Sequence, residues 1–174
     1  QEKIDEAEAK IEKYFGTKNM FNRVGWEHIL KEHGGKLPVR ICAVPEGMHV
    51  PTHNVLMTIE NTDPKCYWLT NYLETMLVQV WYPTTVCTLS NSIRKTILEF
   101  LKKTGTPELI DFKLHDFGYR GASSQESAAL GSAAHLVNFL GTDTFAGIEL
   151  LSEYYDAPSA GFSIPASEHS TITS

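Results

Sequence analysis

Apolar positions recur at helical spacing from the first residues of the chain. Ile4, Ala7, Ile11, Tyr14 and Phe15 share one face over residues 2–15, with charges elsewhere, which predicts an amphipathic surface helix. Trp26, Ile29 and Leu30 mark a shorter helix ended by Gly34-Gly35. The period then changes. Leu37 to Val44 and Val50 to Ile59 hold β-type runs around the turn residues Pro45-Glu46-Gly47, predicting a small sheet. Asn61-Thr62-Asp63-Pro64 reads as a turn and a helix start. Residues 65–80 then place Trp68, Leu69, Tyr72, Leu73, Met76 and Leu77 on one helical side. Pro83 is a point of interruption or kinking. Residues 85–103 resume a helix that ends near Gly105-Thr106-Pro107, where the main boundary is expected.

Beyond residue 108 the texture differs. Phe112 and Leu114 alternate with polar neighbours in a short strand that opens into His115-Asp116-Phe117-Gly118-Tyr119-Arg120-Gly121. Ser123 with Glu126 offers a capping box for a helix rich in Ala and Gly. Leu136–Phe139 predicts a second strand, followed by Gly141-Thr142-Asp143-Thr144 and a helix over 145–155. A third strand, Gly161–Ile164, ends in Pro165-Ala166-Ser167-Glu168-His169-Ser170. Strand, loop and helix repeating at about 25 residues is the rhythm of consecutive parallel βα units. In such folds functional groups gather in the loops at the carboxyl ends of strands, and all three loops occupy that position.

Composition narrows the class. The 174 residues are 42% apolar and 21% charged, as expected of a globular protein, and the net charge of −6 argues against a nucleic-acid binder, which shows a basic face. No apolar run approaches the roughly 20 residues that span a bilayer. Cys42, Cys66 and Cys87 are odd in number and widely spaced, the usage of reduced cysteines in a cytoplasmic protein. The chain opens inside a helical pattern without Met and stops at Ser174 directly after a motif-dense stretch, so a segment of a longer polypeptide is expected.

The strand-end loops supply aromatic faces (Phe117, Tyr119), a fixed cation (Arg120), a carboxylate (Asp143) and a group that titrates near neutrality (His169). A flat heteroaromatic with an amide suits such a pocket, stacking on Phe117 and donating its NH₂ to a carboxylate. Arg120 suits phosphate. Structural readings stand beside these: Phe117 as packing, Arg120 as the partner of Glu126 or Asp116, Asp143 as a helix cap. His115 and His135 read as structural histidines. His28 and His33, like His49 and His53, lack the His-Glu-x-x-His pattern, and no metal site is expected in this chain. Asp116-Phe117-Gly118 matches a kinase metal loop in letters only, since no other kinase motif accompanies it. A hydrolase triad of Ser163 or Ser170 with His169 and Asp143 lacks the G-x-S-x-G elbow.

Three blocks carry a family resemblance in register: His115 to Gly121 with Ser123-Ser124-Gln125-Glu126, Ala134 to Phe139 with Gly141 to Thr144, and Pro165 to Thr173. Upstream, Ala43 to Gly47, Asn54-Val55-Leu56, Glu60 to Pro64 and Cys66 to Asn71 extend it over almost the whole chain. The sequence resembles the nicotinamide phosphoribosyltransferases, type II phosphoribosyltransferases, in their interior. The resemblance implies transfer of the phosphoribosyl group of phosphoribosyl pyrophosphate to nicotinamide, giving nicotinamide mononucleotide and pyrophosphate, with Mg²⁺ accompanying the substrate and ATP as coupling substrate. It implies that Phe117 stacks on the pyridine ring, Asp143 accepts from the carboxamide and Arg120 reaches the carboxamide oxygen or the phosphate. Ser163 and Ile164 would line the ring's tunnel, and His169 would be phosphorylated by ATP with Glu168 orienting it. The fold implied is an α/β one: an accessory α+β region over residues 1–105, then the first βα units of an irregular α/β barrel over 106–174. A homodimer with shared sites is implied, one partner tyrosine covering the ring's other face from outside this chain. The segment alone is expected to be inactive. A nicotinate or quinolinate phosphoribosyltransferase, or a non-catalytic fragment of the fold, are the alternatives.

Overall fold

A computed structural model describes residues 1–174 and folds the amphipathic opening segment as helix α1, Glu2–Phe15, closed by Gly16 in the left-handed region at φ 73°. Helix α2, Arg23–Glu32, begins at Asn22, whose side chain accepts from Gly25 N and satisfies one of the open N–H groups of the first turn. Arg23 ties the two helices, with its guanidinium 2.5 Å from Asp5, 2.7 Å from Glu8 and 2.8 Å from Glu27. Beneath them Ile29, Cys66 and Leu69 are fully buried and covered by Trp26, Val39, Trp68 and Leu73. Trp26, Trp68 and Tyr72 meet edge to face at 5.0, 5.6 and 5.4 Å, the arrangement their ring quadrupoles favour.

Strands β1, Val39–Ala43, and β2, Met57–Asn61, pair antiparallel with Ile41 opposite Ile59. The second strand is shorter than the run from Val50 predicts. Residues 51–54 form a turn instead, in which His53 adopts φ 65° and the Asn54 side chain donates to the carbonyls of Pro51 and Thr52. Helices α3, Leu69–Val78, and α4, Trp81–Thr104, come next. Pro83 does not kink a helix; it lies in the first turn of α4, where a missing N–H removes no intrahelical bond.

The chain forms two compact units, Gln1–Leu77 and Val78–Ser174, so α4 groups with the C-terminal half. The reason is its contact with helix α5, Gln125–Leu136, and the turn after it. Ser90 Oγ lies 2.9 Å from His135 Nδ1, and the Asn91 and Arg94 side chains donate to Asn138 at 2.9 and 2.6 Å. Ser124 rather than Ser123 caps α5, accepting from Ser127 N, so Glu126 does not stand at the capping-box position. Helix α6, Phe145–Tyr155, packs on α5 where a Cβ on Gly147 would stand 2.5 Å from Ser132 Oγ.

The second sheet is small and parallel. Strand β3, His115–Asp116, pairs with β4, Gly141–Thr142, and Gly141 bridges in parallel to Phe162. Each strand is shorter than its apolar run, and the first two start later. Phe112 ends a 3₁₀ turn, Pro107–Phe112; Leu136–Phe139 is the end of α5 and the turn that buries Phe139; only Phe162 of the third run bridges. An apolar run of four residues does not distinguish a buried helix end from a strand, and burial decided here for the helix end. The architecture is mixed α/β. A single turn, α7, His169–Ile172, completes the chain.

Candidate active site

Because the strand segments run parallel as neighbours, the residues just after them, Phe117, Asp143 and Ser163, emerge at one edge of the sheet. The backbone fixes this edge: Asp143 N donates to Asp116 O at 2.9 Å, and Thr142 N to Phe162 O at 2.9 Å. Asp143 is its centre. Ser163 Oγ donates to Asp143 Oδ1 at 2.6 Å, and His115 Nε2 lies 2.8 Å from the same oxygen. These two bonds, that from Ser163 first, hold the carboxyl below the usual carboxylate range. Asp143 is therefore ionised at neutral pH, with Oδ2 left to accept from another donor. It is not a helix cap, because Thr144 occupies the cap position of α6.

His115 is the residue whose role the sequence did not disclose. Its side chain is 8% exposed, while that of Asp143 is 42% exposed, so a buried imidazole supports an open carboxylate. Gly141 makes this possible: a Cβ there would lie 2.6 Å from His115 Nδ1. The Phe117 ring, 54% exposed, sits 4.6 Å from the His115 ring. The available signal was the two-residue period of a strand, which puts His115 and Phe117 on the same side. Ile164, beside Ser163, is partly exposed.

Asp116 points elsewhere and serves as scaffold. Its Oδ1 accepts from Gly118 N at 2.8 Å and its Oδ2 from Thr142 Oγ1 at 2.8 Å, so it directs its oxygens to these groups and not to Arg120. Thr142 Oγ1 also accepts from Thr144 N at 2.9 Å and lies 3.0 Å from Ser132 Oγ. Burial pushes the Asp116 carboxyl up, but the bonds from Gly118 and Thr142, among neighbouring hydroxyls, outweigh it and hold the group below its ordinary value. A cleft of about 270 Å³ opens between Leu114, His115, Phe117, Gly131 and His135. Burial depresses the pKa of His135, which keeps that ring neutral, stacked on Phe139 at 5.2 Å.

Glu168 and His169 form a second cluster. Glu168 caps α7 by accepting from the Ser170 backbone at 2.7 Å and from the Ser170 hydroxyl, and its Oε1 lies 2.9 Å from His169 Nδ1. Both side chains are exposed. The Ser170 bonds are the main reason the Glu168 carboxyl is lowered, and the charge of Arg120, in the 3₁₀ turn Gly118–Gly121, adds to it.

Residues 112–174 match the nicotinate phosphoribosyltransferase (NAPRTase) family, and residues 1–41 match the nicotinamide phosphoribosyltransferase N-terminal domain. The parallel strands ending in an aromatic ring, a carboxylate and an imidazole lie in the region similar to the first of these families. The chain is 60% identical over 156 residues to a nicotinamide phosphoribosyltransferase of Xanthomonas campestris pv. campestris (strain 8004), covering 88% of this chain and 33% of the relative. It is 37% identical over 153 residues to that of Acinetobacter baylyi (86% and 30%) and 35% over 151 residues to that of Mycoplasma pneumoniae (83% and 31%). The chain is similar in sequence to these nicotinamide phosphoribosyltransferases, and it spans about a third of the length of the curated relatives it matches. No helix is long and apolar enough to cross a membrane.

Proposed function

We propose that the protein transfers the phosphoribosyl group of phosphoribosyl pyrophosphate, taken as its Mg²⁺ complex, to nicotinamide, giving nicotinamide mononucleotide and pyrophosphate. The observation that carries this reading is Asp143, an ionised carboxylate with one oxygen held by Ser163 and His115 and the other open. The pyridine ring stacks on the exposed face of Phe117, and the carboxamide NH₂ donates to Asp143 Oδ2. Ser163 and Ile164 line the ring's path, and Arg120 takes the carboxamide oxygen or a phosphate oxygen.

The pyridine nitrogen is already a nucleophile and needs no general base. It forms a bond to ribose C1 as the C1–pyrophosphate bond breaks, and the pair of electrons leaves on pyrophosphate. The contribution of these residues is therefore orientation, holding the ring where its nitrogen faces C1. Developing positive charge on the sugar is stabilised by fixed charges and dipoles nearby.

His169 is the phosphate acceptor from ATP in this reading. With Nδ1 held at Glu168, the Nε2 lone pair is free to attack the terminal phosphorus as ADP departs. The phosphohistidine adds negative charge that orders the Mg²⁺–substrate complex. His169→Ala in the full-length protein is expected to abolish the stimulation of synthesis by ATP, and normal coupling in that variant would remove the assignment.

In the same reading residues 106–174 are the first units of an irregular α/β barrel and 1–105 its accessory region. The active protein is a homodimer with shared sites. Exposed Phe145 and Tyr154 on α6 are surfaces that such assembly or further chain would cover. Three free cysteines suit a cytoplasmic protein. The test of specificity is Asp143→Asn. Nicotinate carries a carboxylate that an ionised Asp143 repels. The variant is expected to move the nicotinamide-to-nicotinate ratio of kcat/KM toward nicotinate by at least about tenfold, roughly 1.4 kcal/mol of differential binding. An unchanged ratio would overturn the role of Asp143.

A further inference from the structure

Three metal-ligating side chains converge in the N-terminal unit, in a place the phosphoribosyl reaction does not use. His28 lies within α2, His33 caps its C-terminal end, and Asp63 lies in the turn after β2. His28 Nε2 is 2.7 Å and His33 Nε2 2.8 Å from the same oxygen, Asp63 Oδ2. All three ligand atoms lie within 4.8 Å of one another. Five positions on a straight α-helix turn through about 500°, which sets two side chains on different faces. Here His33 has left the helical region, at φ −115° and ψ 7°, and its ring stands edge-on to that of His28 at 5.6 Å. That departure explains why the spacing in the sequence gives no metal signal.

We propose that His28, His33 and Asp63 form a binding site for a divalent transition metal of the zinc, cobalt or nickel type, which clips the end of α2 to the turn after β2. Imidazole and carboxylate are the ligand types such ions prefer. Asp63 is already oriented as a ligand, because Lys65 N fixes its Oδ1 at 2.9 Å and leaves Oδ2 turned toward both rings. The side chains are 19%, 31% and 17% exposed for His28, His33 and Asp63, open enough for water to complete the coordination. Each ring binds through an Nε2 lone pair, and any proton on Nε2 passes to water as the metal enters. Metal–ligand bonds near 2.1 Å set tetrahedral donors about 3.4 Å apart, so the two His–Asp63 distances open by roughly 0.6–0.7 Å on loading.

The full-length protein, stripped with a chelator and held in excess Mg²⁺ to occupy oxygen sites, is titrated with Co²⁺ by visible absorption and with Zn²⁺ by calorimetry. His28→Gln and His33→Gln, shown to match wild-type melting in chelator, serve as comparisons. Wild type is expected to bind one more equivalent per chain than either variant, or to bind that equivalent at least about tenfold more tightly. Zn²⁺ is expected to raise Tm in wild type and not in the variants. Equal stoichiometry and affinity in all three proteins, or binding only at millimolar metal, overturns the site. Should the variants fail to fold, anomalous scattering from Zn²⁺-soaked wild-type crystals decides it: a peak between His28, His33 and Asp63 supports the site, and no peak there rejects it.

Discussion

The two units are held together by different chemistry. In residues 1–77 the buried side chains are apolar, Ile29, Cys66 and Leu69 under a cluster of aromatic rings. In residues 78–174 the interior also holds Ser90, Ser132, His135, Thr142 and Thr144, beside small residues such as Ala128, Ala129 and Ala146. The sheet of the second unit has strands of two residues, too short to fix three loops by backbone pairing alone. Side-chain hydroxyls supply the rest, through Thr142 above all, which joins Asp116, Ser132 and the start of α6. The first unit's interior rests on apolar contacts, and the second's rests in part on buried hydrogen bonds, which are costly when broken.

The largest test of this contrast is truncation of each core. Phe139→Ala, at a side chain 1% exposed, is expected to cost about 3–5 kcal/mol. It also removes the stack under His135, so nicotinamide binding falls with stability. Leu69→Ala, fully buried, is expected to cost about 2–5 kcal/mol with the substrate preference unchanged in the folded fraction. Denaturant unfolding of the full-length proteins, with substrate titration below the transition, separates the two. A smaller effect is expected from Thr142→Val, which keeps the shape but strips the hydroxyl from three buried partners. About 1–3 kcal/mol of stability is lost, and KM for nicotinamide rises as the loop carrying Asp143 loosens. A variant as stable as wild type would show that the network contributes nothing.

The legibility of the sequence divides along the same line. The helices over 2–15 and 145–155 were readable because amphipathic period and length agree. The blocks around Phe117 and Asp143 were readable as strand-end loops by their rhythm, while His169 lies in the helical turn α7 beyond the bridge at Phe162. The short strands were not, since Leu136–Phe139 is equally a helix end when Phe139 is the residue that must be buried. His115 was hidden because its role depends on an ångström-scale fit against Gly141, and the His28–His33 pair because a cap residue leaves the helical path. Both are fixed by tertiary contacts, although the two-residue period already put His115 on the side of Phe117.

The smallest expected effect is on acid stability. Asp116 has a folded pKa below its unfolded one, so its bonds contribute stability that is fully present above the ordinary Asp value of about 3.9. That contribution is lost as pH falls through the lower folded value. Asp116→Asn is expected to flatten the decline in stability below about pH 4, measured by denaturant midpoints against pH. An unchanged slope would place the acid sensitivity of this unit elsewhere.

A crystal structure of the full-length protein soaked with nicotinamide tests the placement of the ring most directly. The pyridine should lie in contact with the face of Phe117, with the carboxamide nitrogen about 3 Å from Asp143 Oδ2. Density for the ring away from these loops, or an amide turned from Asp143, would contradict it.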